Sequence, residues 1–258
     1  MRLAARELAF GYPGKPVGRE ANLALQTGEI LCLLGANGSG KTTLFKTLLG
    51  VLKPQGGDVT LDGKSIAGWS RRRLAQEMAY VPQAQAGYFP FTVMDTVLMG
   101  RTARMGLFAL PSKHDREAAL AALATLRISE LKDEPYTQLS GGQRQLVLIA
   151  RALAQGAKFL IMDEPTASLD FGNRVRVLDH IRRLAREGLG IVFSTHDPDQ
   201  ALACADQVAL LHEGRLIHRG APEEVITREN LRLIYGVEVE IAALASQRHV
   251  CVQLSSGD

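Results

Sequence analysis

The chain has 258 residues, 46% of them hydrophobic, and a formal net charge of +3. That length and apolar content suffice for one α/β unit, or for a core carrying a subdomain. The charge is too small for a nucleic-acid binder, which carries a strong basic excess, so no nucleic-acid partner is expected.

Leu3, Ala5, Leu8 and Phe10, then Leu23 and Leu25, alternate around Gly11-Tyr12-Pro13-Gly14. This predicts a strand, a loop holding Tyr12, and an antiparallel second strand. Ile30 to Leu34 is an apolar run that reads as a buried strand. A glycine-rich turn follows, then a helix from about Lys41 with Leu44, Phe45, Leu48 and Leu49 on one face, stopped by Lys53-Pro54-Gln55-Gly56-Gly57. Val59 to Gly63 reads as a strand and turn, and Arg71-Arg72-Arg73 as the solvated approach to a short helix. Ala79-Tyr80-Val81 is a strand ending at Pro82-Gln83. From Thr92 to Ala154 the pattern is helical, with Val93, Val97 and Leu98 on one stripe and Leu120, Leu123 and Leu126 on another, in a helix starting near Asp115. Phe159 to Asp163 returns to a buried strand. A helix with Val177, Leu178, Ile181 and Leu184 follows, then the strand Ile191 to Ser194. Val208 to Leu211 and Leu216-Ile217 read as a hairpin across Glu213-Gly214. Short helices near Glu223 to Ile226 and Asn230 to Ile234 precede an alternating stretch, Val237 to Ile241, that suits a strand.

The stretch Gly35-Ala36-Asn37-Gly38-Ser39-Gly40-Lys41-Thr42-Thr43 has the G-x-x-x-x-G-K-[ST] spacing, with a strand before it and a helix after it. Gly35, Gly38 and Gly40 let the backbone turn its N–H groups inward, where a side chain would block a phosphate. The helix N-terminus adds partial positive charge under the same anion. Lys41 can reach β- and γ-phosphates, and the Thr42 hydroxyl can ligate Mg²⁺, so ATP and Mg²⁺ are the expected ligands. The apolar strand ending in Asp163-Glu164 delivers two carboxylates at the edge where ligands of open α/β sheets bind. Asp163 suits Mg²⁺. Glu164 suits a general base acting on water. Gln83, at another strand end, can contact the metal or the water, and His196, after Ser194-Thr195, can hydrogen-bond a γ-phosphate.

Leu139-Ser140-Gly141-Gly142-Gln143-Arg144-Gln145 opens a further helix. Ser140 can cap it, and two glycines in its first turn bare more N–H donors at a cost of about 1 kcal/mol each against alanine. This is a second anion site. One nucleotide cannot easily use both within a compact domain, whereas two copies arranged head to tail can.

Together these imply an α/β fold: a P-loop NTPase core with a mainly parallel sheet, an N-terminal antiparallel β subdomain and an inserted α-helical subdomain. The expected division is core at 1–83 and 157–236, helical subdomain at 84–156 and a tail at 237–258. The longest apolar runs fall short of the ~18 residues that span a bilayer, and the start lacks a signal-peptide core. The expectation is a soluble chain whose membrane role comes through a partner. Cys32, Cys204 and Cys251 are scattered without metal-ligand spacing, which suits reduced, buried cysteines in the cytoplasm.

In their order along the chain, Gly35 to Thr43, Gln83, Leu139 to Gln143, Asp163-Glu164, Ser168-Leu169-Asp170 and His196 resemble the ATP-binding subunit of an ABC transporter. The resemblance implies that Tyr12 stacks on adenine, that Ser140 and Gly142 meet the γ-phosphate of a partner's ATP, and that Asp170 lies at the seam of a homodimer. Phe91 to Arg101, Pro111 to Asp115 and Gly220 to Thr227 resemble the ATPases of iron-chelate and cobalamin importers; molybdate and haem importers share the pattern. It implies two transmembrane permease subunits, received by a groove over Gln83 to Arg101, and a periplasmic binding protein acting indirectly. The ATPase would lie on the cytoplasmic face of the membrane, with an iron(III) chelate as the expected cargo. An exporter ATPase, a non-catalytic nucleotide-binding scaffold, and a non-transport relative acting on ribosomes or DNA are the rival readings.

Overall fold

The computed structural model describes residues 1–83, 90–106, 109–243 and 249–253. Strands β1 (Arg2–Tyr12) and β2 (Lys15–Gln26) pair antiparallel. They join β4 (Gly56–Leu61) and β5 (Lys64–Ser65) in a sheet of order β2-β1-β4-β5. Tyr12 is the last residue of β1 and pairs with Lys15, so the turn is tighter than the sequence suggested.

The second sheet has the order β10-β9-β3-β8-β7-β6. Its strands are β3 (Ile30–Leu34), β6 (Met78–Val81), β7 (Phe159–Met162), β8 (Gly190–Thr195), β9 (Gln207–His212) and β10 (Arg215–Gly220). All neighbours are parallel except β9 and β10, which form the expected hairpin. A parallel sheet is covered on both faces, which is why β3, β7 and β8 read as unbroken apolar runs. Alternation then sorts their side chains. Leu31, Leu33, Phe159, Ile161 and Val192 face helix α1 (Lys41–Leu48) and the antiparallel sheet. Ile30, Cys32, Leu34, Leu160, Met162 and Phe193 face the other way, toward α5 (Gly141–Ala154) and α6 (Phe171–Arg186).

Helix α1 stops earlier than expected. Leu49 caps it and Gly50 adopts a left-handed φ of 69°, ending the helix before Lys53 is reached. Arg71 to Arg73 lie inside α2 (Arg71–Glu77) rather than before it, because the Ser70 hydroxyl accepts the Arg73 amide and caps the helix there.

Helices α3 (Val93–Leu98) and α4 (Lys113–Thr125) pack on α5. The stripe predicted for α4 is shifted: Ala119, Ala122 and Leu123 are buried, whereas Leu120 is exposed. The helix begins two residues earlier than expected, at Lys113, capped by Ser112, and this buries Asp115 in its first turn. Asp115 meets Arg101 at 2.9 Å, and Arg101 also donates to the Ala154 carbonyl, which ties α4 to the end of α5. The Ser112 hydroxyl, and then the Arg101 guanidinium, hold the Asp115 carboxyl down at about 2. A folded pKa below the unfolded value stabilises the fold above about pH 4, and that contribution is lost as pH falls toward 2. In wild type, melting temperature should therefore fall through this window. In Asp115→Asn it should start lower at neutral pH and fall less steeply; parallel curves would refute the assignment.

The chain continues through α7 (Pro198–Cys204), α8 (Pro222–Val225) and α9 (Arg228–Tyr235). The strand expected from Val237 is β11 (Val239–Ala243), paired antiparallel with β12 (His249–Gln253). Cys32 and Cys204 are buried and Cys251 is half-buried; burial pushes the Cys204 and Cys251 thiols up to about 12. Among the described residues, no helix is long and apolar enough to cross a membrane.

Candidate functional site

The site forms where β3, β7 and β8 end. β3 releases the chain at Gly35, whose amide donates to the Thr195 carbonyl of β8. A Cβ at Gly35 would sit 2.4 Å from the Leu211 carbonyl oxygen of β9, so here glycine is required by a neighbouring strand. Gly40 has a left-handed φ of 108° and turns the chain into α1. Its missing Cβ leaves room for Val17, which would otherwise be met at 2.9 Å. The space available to a phosphate is thus only part of why these positions are glycine. A cavity of about 610 Å³ opens beside the loop, lined by Asn37, Gly38, Gly40, Lys41, Thr42, Thr43, Gln83, Asp163 and Glu164, with Lys15 and Val17 at its edge. The Ser39 hydroxyl is buried in this loop with no hydrogen-bond partner among the described residues, an opening for an anion's oxygen.

Lys41 is buried, and its ammonium group donates to the Gly35 and Ala36 carbonyls at 2.8 and 3.0 Å. It also lies 3.4 Å from Glu164 Oε1. The Thr42 hydroxyl donates to Asp163 Oδ2 at 2.6 Å, joining the loop to the end of β7 across the sheet. Ser194 donates to Asp163 Oδ1 at 2.8 Å and Tyr80 to Oδ2 at 3.2 Å. Three hydroxyls thus converge on one buried carboxylate. Burial, and then the Asp163 charge, raise the Tyr80 phenol well above its ordinary value, so it stays a donor. Thr42 and Asp163 place oxygen atoms on the wall of a cavity that Gln83 also lines, hard donors of the kind that suit Mg²⁺.

Glu164 has a left-handed φ of 45°, and its amide donates to Ser194 Oγ. That backbone aims the carboxylate between Lys41 and His196, whose Nδ1 lies 3.5 Å from Glu164 Oε2. His196, Gln83, Glu164 and Ser168 line an adjoining cavity of about 300 Å³. Its floor is a polar network. Thr166 and Thr195 both donate to Gln200 Oε1, Gln200 donates to Asp197 Oδ2, and Arg174 meets the same Asp197 oxygen at 3.4 Å.

Ser140 to Gln143 line neither cavity. Ser140 caps α5 by accepting the Gln143 amide, while the Gln143 side chain accepts the Ser140 amide. Ser140 and Gly141 are exposed, whereas Gly142 is buried, and a Cβ there would strike the Asn173 side chain at 2.5 Å. Asp170 caps α6 and accepts both the amide and the side-chain nitrogen of Asn173. The first turns of α5 and α6 therefore lie together, with their leading residues facing outward. Tyr12 also lies outside the lining of the loop cavity, its ring 5.8 Å from the Lys46 ammonium.

Sequence reading missed Tyr80, Ser194 and the Thr195–Gln200–Asp197 network. Ser194 and Thr195 did carry a signal, as two hydroxyls ending an otherwise apolar buried strand. Tyr80 carried none. Of the groove expected over Gln83 to Arg101, residues 84–89 lie outside the described residues. Met99 and Gly100 line a groove of about 510 Å³ with Val51, Leu74, Met78 and Arg151.

A family model described as "ABC transporter" matches residues 19–167. An ABC transporter ATP-binding protein of Haemophilus influenzae is 46% identical, over 97% of this chain and 95% of its own. A hemin import ATP-binding protein of Thermobifida fusca is 40% identical, over 93% and 84% of the two chains. A molybdate import ATP-binding protein of Haemophilus influenzae is 37% identical, over 90% and 87%. Among solved structures, a chain of a metal-chelate type ABC transporter in an inward-facing conformation superposes with a TM-score of 0.87 at 34% identity, covering 98% of each chain.

Proposed function

We propose that this chain, which belongs to the ATP-binding subunits of ABC transporters, hydrolyses ATP to drive an importer whose cargo is an iron(III) chelate. The observation that carries the ATPase reading is the meeting of Thr42, Asp163, Glu164 and His196 at the end of one parallel sheet. The loop amides and the α1 N-terminus would bind the triphosphate. Lys41 would exchange its bonds to loop carbonyls for phosphate oxygens. Bound Mg²⁺, held through Thr42 and Asp163 with Gln83 nearby, would neutralise charge on the β- and γ-phosphates. Glu164 would take the proton of the attacking water, and His196 would hydrogen-bond the γ-phosphate. Rate enhancement comes mainly from positioning and electrostatics.

The exposed Ser140 and Gly141 at the start of α5, which line neither cavity of their own chain, support a head-to-tail homodimer in which each copy completes the other's site. Asp170 and Tyr12 would contribute at the seam and at adenine. The groove of Met99, Leu74 and Arg151 would receive a cytoplasmic helix of the permease, placing the chain at the cytoplasmic face of the membrane. Support for the cargo is the likeness to a hemin import ATP-binding protein and to a chain of a metal-chelate type ABC transporter. The molybdate relative favours a second reading with the same chemistry and a different cargo.

Purified protein with Mg²⁺ should release phosphate from ATP, and Lys41→Ala should abolish it. A wild-type protein that binds ATP without hydrolysing it would favour the scaffold instead. Uptake of labelled ferric siderophore, haem and molybdate by cells with and without this chain would assign the cargo.

A further inference from the structure

The turn that carries His196 is fixed downstream by its own neighbours. Asp197 caps α7, its amide donates to Thr195 Oγ1, and Gln200 and Arg174 hold its carboxylate. The His196 peptide carbonyl is held differently. It accepts the Tyr235 hydroxyl at 2.8 Å, across 39 residues of chain. Tyr235 is the last residue of α9, a helix seated in the core by Leu231 and Ile234 and ended by left-handed Gly236. The following hairpin braces it: Arg232 meets Glu238 at 2.8 Å and Arg228 meets Glu240 at 3.5 Å. On its far strand, the Cys251 amide donates to Asp199 in the first turn of α7. The C-terminal segment therefore touches the His196 turn on both sides, through a phenol and through a backbone amide. Burial raises the Tyr235 phenol well above its ordinary value, so the hydroxyl remains a donor.

We infer that Tyr235 is a positioning residue for His196: its hydroxyl fixes the peptide that aims the imidazole at the γ-phosphate side of the site, and so makes hydrolysis depend on how the C-terminal segment is docked. The inference rests on the ATPase reading above. The imidazole itself is half exposed, and its ion-pair neighbour among the described residues is Glu164 at 3.5 Å. Its direction is thus set largely by its backbone, whose carbonyl is held from outside the turn.

The test is Tyr235→Phe, which removes one oxygen and keeps the ring. Losing one aiming hydrogen bond should lower kcat about three- to tenfold, with KM for ATP unchanged and the melting temperature lowered by no more than about 2–4 °C. The His196 imidazole signals in NMR spectra, identified by their loss in His196→Ala, should shift or broaden while those of the other histidines stay. If wild type does not hydrolyse ATP, the ATPase reading fails. If it does, two results overturn the inference: Tyr235→Phe matches wild type in kcat and in its His196 signals, or the loss of activity merely follows a loss of thermal stability.

Discussion

Glu164→Gln should lower the hydrolysis rate by about two to four orders of magnitude while ATP still binds, because the amide keeps the size of the carboxylate and one acceptor oxygen but cannot take a proton. The side chain is aimed by features the substitution leaves alone, namely the left-handed backbone and the Ser194 bond to its amide. Its neighbours are both cationic or polar donors, Lys41 at 3.4 Å and His196 at 3.5 Å, and the Gln carbonyl can still accept from either. With ATP bound and uncleaved, two copies should remain joined. Size-exclusion chromatography should then show an ATP-dependent dimer in the variant that wild type shows only transiently. Normal turnover by Glu164→Gln would remove Glu164 as the base. A slow variant that stays monomeric with ATP would spare the base and refute the head-to-tail arrangement.

Gly35→Ala should damage both stability and activity, and more than Gly38→Ala does. At Gly35 the added methyl meets a backbone oxygen of β9 at 2.4 Å. That oxygen belongs to a strand hydrogen-bonded on both sides, so the phosphate loop must move instead. Overpacking of this kind costs about 1–3 kcal/mol. A loop displaced by about 1 Å can lose about 100-fold in kcat/KM. Gly38 has a left-handed φ of 80° but nothing within 4 Å of the added methyl. Alanine there should cost only the backbone preference, about 1 kcal/mol. If both glycines existed only to admit phosphate, both variants would melt like wild type and lose activity together. Urea unfolding beside ATPase kinetics separates the two explanations, and an unshifted midpoint for Gly35→Ala would rule out the packing account.

Much of the site was readable before any fold was known, because phosphate binding by backbone amides needs glycines, a lysine and a hydroxyl at fixed spacing along one strand–turn–helix. Lys41, Thr42 and the α1 start follow from local chemistry alone. So do Ser140 as a cap and the buried strands β3, β7 and β8, whose apolar runs announce a sheet covered on both faces. Errors fell where local signals compete with packing. Gly50 ended α1 ahead of the stronger-looking Lys53 to Gly57 cluster. Leu120 fitted a helical stripe yet faces solvent, since the small residues Ala119 and Ala122 let α4 approach its neighbours closely.

The amino-acid order by itself determined the two glycine-bearing helix starts, the carboxylates at the end of β7 and the alternation of the first two strands, because each depends on residues within a few positions of one another. Only the tertiary structure decided that Tyr80, Thr42 and Ser194 share one carboxylate, that Gly35 is glycine for the sake of β9, and that Tyr235 reaches the His196 peptide. Those contacts join residues separated by tens of positions or more. They arise from strand order and, for Tyr235, from the docking of α9, and no local periodicity encodes which elements become neighbours.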